Sequence, residues 1–153
     1  MIKYFFYIIT FFIFLIKYSL LYAIEAPKNL FINDIEISNL NLEVELNDRL
    51  HVHYEGWVFD KSIDTDDYCS AKGNKFDSSK NKPFRDKPIA LQFVIGKGLL
   101  IPGWELGLLK MKKGGKRCLV IPYQLAYGHR GYDGIPPYST LIFEIELIDI
   151  EKK

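Results

Sequence analysis

Apolar and polar positions change rhythm several times along the chain, and each change predicts an element. Residues 4–16 form an apolar run of 13 positions interrupted only by Thr10. Over 30–37 the alternation is weak and predicts one edge strand inside a lead-in segment, 24–45. After the Asn47-Asp48 turn, RLHVHYEGWVF (49–59) has the β-branched and aromatic content and the partial period of two that predict a strand. A polar loop follows over 60–74 and ends at Phe76-Asp77. IALQFVI (89–95) predicts a second strong strand, stopped by Gly96-Lys97-Gly98. PGWELGLLKM (102–111) is the convincing helix: Pro102 sits in the first turn, Trp104, Leu108 and Met111 recur at helical spacing, and Gly114-Gly115 lie beyond its end. Residues 116–122 predict a strand, 123–139 a loop rich in Gly and Pro, and TLIFEIELIDI (140–150) a strand with clean alternation. Four or five strands and one short helix make an α+β domain over 46–150, an antiparallel sheet wrapped around the helix.

Composition divides the chain in two. Nine of its 23 aromatic residues fall in the first 23 positions, which hold Lys3 and Lys17 and no acidic residue. A positive start, an apolar run and the small residues Ala23 and Ala26 resemble a secretory signal peptide over 1–23. The run is shorter than the roughly 20 residues of a spanning helix. The alternative is an uncleaved anchor through residues 4–24, with Lys17 snorkelling to the interface. The protein is accordingly expected to be exported, periplasmic or secreted, with membrane contact only if the N-terminus stays uncleaved. The remaining 130 residues carry 18 basic and 19 acidic side chains. That balance excludes a polybasic nucleic-acid surface. Their 14 aromatics exclude disorder. Export also bears on Cys69 and Cys118, 49 positions apart: they either form a bridge or remain two unrelated thiols.

Strong catalytic templates are missing. His51, His53 and Glu55 share one strand face, but three in a row on one strand seldom converge on a single ion without help from a neighbouring strand, and Asp64, Asp66 and Asp67 lack the glycine and terminal glutamate of a calcium loop. No Gly-x-Ser-x-Gly, Walker or dinucleotide motif occurs, so neither a metal nor a cofactor is expected. What stands out is Tyr54, Phe76, Trp104, Tyr127 and Phe143, placed at strand ends, at the helix start or in loops. Aromatic residues so placed either cap a core or line a cleft, and composition alone favours the core.

Six collinear segments decide between these. VHYEGW (52–57), KFDSS (75–79), GKGLLIPGWE (96–105), MKKGGKR (111–117), LAYG (125–128) and IPP-x-STLIFE (135–144) resemble, in order, the signatures of the FKBP-type peptidyl-prolyl cis-trans isomerases. The resemblance implies a half-barrel with an apolar pocket between helix and sheet. It implies Trp104 as the floor under a substrate proline, and Tyr54, Phe76, Leu100, Ile101 and Phe143 as walls. Tyr127, by its hydroxyl, and the backbone N–H of Ile101 would bond substrate carbonyls, with Asp77 at the rim and Tyr132 and Ile135 in an overhanging loop. Tyr54, Asp77, Tyr127 and Phe143 are the residues assigned to catalysis. On the strand after the rim the wall falls on Ile89 or Leu91; Leu91 shares the parity of Phe93 and is preferred. Arg85 is the expected partner of Asp77, and Leu99 joins Tyr132 at the rim. The implied partners are proline-containing peptides, unfolded proteins and the macrolides that fill this family's pocket, with the chain acting as a monomer. A proline-binding module or holdase without useful turnover is the alternative activity.

Overall fold

The computed structural model describes residues 24–81, 83–84 and 87–153. The export segment over 1–23 and the expected Arg85 partner lie outside the described residues. Strands β1 (Phe31–Glu36), β2 (Arg49–Phe59), β3 (Lys72–Ser78), β6 (Leu91–Val94), β7 (Lys116–Ile121) and β8 (Leu141–Glu151) form one antiparallel sheet. The order is β1-β7-β8-β2, after which β2 is shared: its first half pairs with β6 and its second half with β3. The short strands β4 (Pro83–Phe84) and β5 (Lys87–Pro88) pair apart from this sheet. The one described α-helix, α1 (Pro102–Gly107), packs against β7 on the inner face.

Alternation decides which side chains meet the helix. Leu50 and Val52 of β2, Leu119 and Ile121 of β7, and Leu141, Phe143, Ile145 and Leu147 of β8 join Trp104, Leu108 and Met111 in the main core. Continued alternation would put Asp149 inside, but the β2–β8 register shifts between His51 and Val52, so Ile150 is buried instead. Side chains of the opposite parity build a second cluster on the outer face. Cys118, Val120 and Ile142 pack there with Cys69 and Ala71, ringed by Phe31, Trp57, Phe59 and Tyr68. Cys69 and Cys118 are joined in a disulfide, which settles the open question in favour of the bridge.

Three expectations are corrected. The helix ends at Gly107 rather than Met111; a turn with Lys110 at φ 62° follows, and Met111 N–H bonds to Leu108 O, so both side chains still reach the core. Residues 72–74, read as loop, belong to β3, because they pair with the end of β2 through two register shifts despite their polar composition. The sheet has six strands instead of four or five. Arg117 secures the helix to the sheet. Its buried guanidinium donates to the carbonyls of Gly107 and Leu109 at the helix end and to both oxygens of Asp34 on β1.

Candidate active site

The main core is incomplete where α1 begins. A cavity of about 520 Å³ opens there between helix and sheet, lined by Tyr54, Phe76, Asp77, Leu91, Leu99, Leu100, Ile101, Pro102, Trp104, Tyr127, Tyr132 and Phe143. That volume suits a small apolar ligand group.

Its floor is an aromatic assembly built from five elements. Trp104, from the first turn of α1, meets Tyr54 at 5.3 Å, Phe143 at 5.2 Å and Phe93 at 5.9 Å between ring centroids, all edge-to-face or tilted. Phe76 stands edge-on to Phe143 at 5.5 Å. Such packing uses the ring quadrupoles as well as burial. It also requires Gly56: a Cβ there would come within 2.7 Å of Phe76 and 2.9 Å of Phe143, so any side chain would displace a ring. The segment before the helix is held by Glu105, whose carboxylate accepts from the N–H groups of Gly96 at 2.5 Å and Gly98 at 3.0 Å. That tie places Leu99, Leu100 and Ile101 along the cavity edge.

Few polar groups reach this space, and they are of two kinds. Tyr54 donates its hydroxyl to Asp77 at 2.5 Å, while the other Asp77 oxygen accepts from the Ser78 N–H at 2.8 Å. Burial, and then the bond to Asp77, push the Tyr54 phenol well above its ordinary value. The Tyr127 hydroxyl and the Ile101 N–H, by contrast, bond to no described residue. Burial, followed by Tyr132 and Asp77, raises the Tyr127 phenol too, so both phenols remain protonated donors at neutral pH. Tyr132, although 63% exposed, stacks flat on Tyr127 with centroids 5.0 Å apart. The indole N–H of Trp104 is buried without a described partner.

The geometry gathers Tyr54, Asp77, Tyr127, Phe143, Phe76, Leu91, Leu100, Ile101, Trp104 and Tyr132 around one cavity. Leu91 lines it, whereas Ile89 is half exposed and outside. Ile135 is 6% exposed and packs in the main core with Trp104 and Phe143, and is not among the residues lining the cavity. Pro102 is a lining residue that its role as a helix starter concealed.

Known proteins of similar sequence accord with this arrangement. The family model described as FKBP-type peptidyl-prolyl cis-trans isomerase matches residues 41–148. The chain is 39% identical over 123 residues to an FK506-binding protein of Neisseria meningitidis serogroup C, covering 80% of this chain and 96% of that one. It is 45% identical over 107 residues to FK506-binding protein 2B of Rhizopus delemar, and 38% identical over 122 residues to FK506-binding protein 5 of Dictyostelium discoideum. Those matches cover 68% and 78% of this chain but only 43% and 7% of the respective relatives.

Proposed function

The chain belongs to the FKBP-type peptidyl-prolyl cis-trans isomerase family, and from that premise we propose that its cavity accelerates Xaa-Pro bond rotation in exported proteins as they fold. The observation that carries the proposal is the composition of the site: an aromatic-walled cavity of about 520 Å³ that can admit a proline ring with its flanking residues, with the Tyr127 hydroxyl and the Ile101 N–H at its edge and unbonded among the described residues. Rotation about a peptide bond faces a barrier near 18 to 20 kcal/mol because twisting breaks amide resonance, and no covalent bond need form or break. The planar amide is the more charge-separated form. Transfer from water into an apolar cavity therefore weakens it relative to the twisted form.

The roles follow from position. Trp104 supports the proline ring, with Phe76, Leu91, Leu100 and Phe143 around it. The Tyr127 hydroxyl and the Ile101 N–H hold substrate carbonyls, fixing one side of the bond while the other turns. Asp77, kept in place by Tyr54 and Ser78, presents its carboxylate at the rim beside the rotating amide. These contacts lower the barrier only insofar as they suit the twisted geometry better than the planar ones. A 10⁵-fold acceleration corresponds to about 7 kcal/mol, within the reach of packing and a few oriented hydrogen bonds.

Two observations support export. Residues 1–23 have the order of a signal peptide, and the Cys69–Cys118 disulfide fits an oxidising compartment. Proline-containing segments of unfolded proteins are the substrates, and macrolides that occupy this family's pocket are the inhibitors. A protease-coupled assay on an Ala-Leu-Pro-Phe peptide tests the reading. Catalysis is expected, blocked by such a macrolide and reduced by Asp77→Ala; a folded protein with no catalysis would refute it.

A further inference from the structure

A second cavity, of about 370 Å³, adjoins the first. It is lined by the end of β2 (Val58, Phe59, Asp60), by β3 from Gly73 to Phe76, and by Asp133, Gly134 and Pro136. Two walls run unbroken from one cavity to the other. Phe76 lines both, and Tyr132 of the first cavity is followed directly by Asp133 of the second. The turn bearing Asp133 is closed by reciprocal backbone bonds, Tyr132 N–H to Ile135 O and Ile135 N–H to Tyr132 O, so its carboxylate stands on a braced tip. A chain with proline on Trp104 that continues past Phe76 has the second cavity next in its path.

That cavity is asymmetric in charge. Asp60 and Asp133 both line it, from different segments of the chain, and among the described residues neither is ion-paired. Asp60 accepts from the N–H and hydroxyl of Ser62, which orient it and favour its anion. Gly73 leaves room for it, since a Cβ at that position would lie 2.9 Å from the Asp60 Cβ. Lys75, the cation in the lining, is occupied elsewhere: its ammonium pairs with Glu55 and lies 5.1 Å from the Trp57 ring centroid.

We propose that the second cavity is an extended substrate subsite selecting a lysine or arginine near the proline, with Asp60 and Asp133 as its specificity residues. The proposal rests on the isomerase reading and adds a preference that the proline pocket does not contain. Electrostatic attraction between partly exposed groups sets a modest size, about threefold in kcat/KM at low salt, and screening removes most of it at high salt.

The experiment uses proline peptides in which lysine, glutamine or glutamate is scanned through three positions on either side of Leu-Pro. Turnover is read by NMR exchange and affinity by NMR titration of the same peptides. Wild type is expected to favour lysine at one or two positions on a single flank, chiefly through KM. Asp60→Asn combined with Asp133→Asn should abolish the preference while leaving turnover of the glutamine peptide unchanged. Gly73→Ala should weaken it, and Asp60→Lys should shift it towards glutamate. Equal affinity for all three peptides, or a lysine preference surviving in the double variant, overturns the subsite. Loss of turnover on every peptide, glutamine included, counts against the isomerase reading instead, and the titrations still decide the subsite.

Discussion

The two faces of the sheet use the same three strands to opposite ends. Inward, β2, β7 and β8 present Leu50, Val52, Leu119, Phe143 and Ile145 to a helix, and packing stops short to leave a cavity. Outward, the intervening residues Trp57, Cys118, Val120 and Ile142 meet a loop that a disulfide ties down. A helix six residues long cannot cover the whole inner face, and the uncovered part is where chemistry is possible. Among the described residues the outer face is covered by no α-helix; a single 3-10 turn, Tyr68–Ser70, lies against β7 and is fixed there by a covalent bond. Function and added stability are thus placed on opposite sides of one sheet, close in sequence and separated by side-chain parity.

The largest effect should come from Phe143→Ala, which removes a ring shared by core and cavity. A loss of about 3 to 5 kcal/mol is expected in urea unfolding, together with loss of isomerase activity. Cys69→Ser with Cys118→Ser opens a 49-residue separation and should cost up to about 4 kcal/mol in the chain-entropy model. Turnover of a short peptide should be retained in that variant under conditions where it stays folded. If activity falls with the disulfide, the two faces are coupled and the separation fails.

Titration should distinguish the faces next. On the inner face the Tyr54 phenol is raised above its ordinary 10.0 by burial and by Asp77. Unfolded tyrosine ionises first, so its contribution is intact below pH 10 and is lost as pH rises towards the folded value. Tyr54→Phe should remove part of that alkaline loss. On the outer face Glu55 is held below 4.5, chiefly by its hydrogen bond from Lys75. Its contribution is present above that value and lost as pH falls through the depressed one; Lys75→Met should flatten this acid limb by less than about 1 kcal/mol. The smallest stability change belongs to Tyr127→Phe, within about 0.5 kcal/mol because the lost hydroxyl has no described partner. The same variant should lower turnover several-fold.

Much of this was legible in the residues, for identifiable reasons. Strand β2 declares itself through β-branched and aromatic content, and the site follows from the order of six short motifs. Strand β3 does not, because Lys72-Gly73-Asn74 has no intrinsic strand preference and is extended only by pairing with β2. Pairing of Cys69 with Cys118 depends on the loop folding back over β7, which spacing alone does not reveal. Ile135 is buried in the main core, a placement that its position in a Gly- and Pro-rich loop does not reveal. Pro102 was absorbed into helix initiation, although the same ring lines the cavity. Local pattern records which face a strand residue takes; it does not record where a loop returns.

The most direct test of the central claim is the cis–trans exchange rate of an Ala-Leu-Pro-Phe peptide, measured by NMR with substoichiometric protein. Wild type should accelerate exchange by orders of magnitude, and the disulfide-free variant should do so nearly as well, while folded Phe143→Ala should not. Exchange at the uncatalysed rate with folded wild-type protein, or equal acceleration by Phe143→Ala, would contradict the assignment of catalysis to the inner-face cavity.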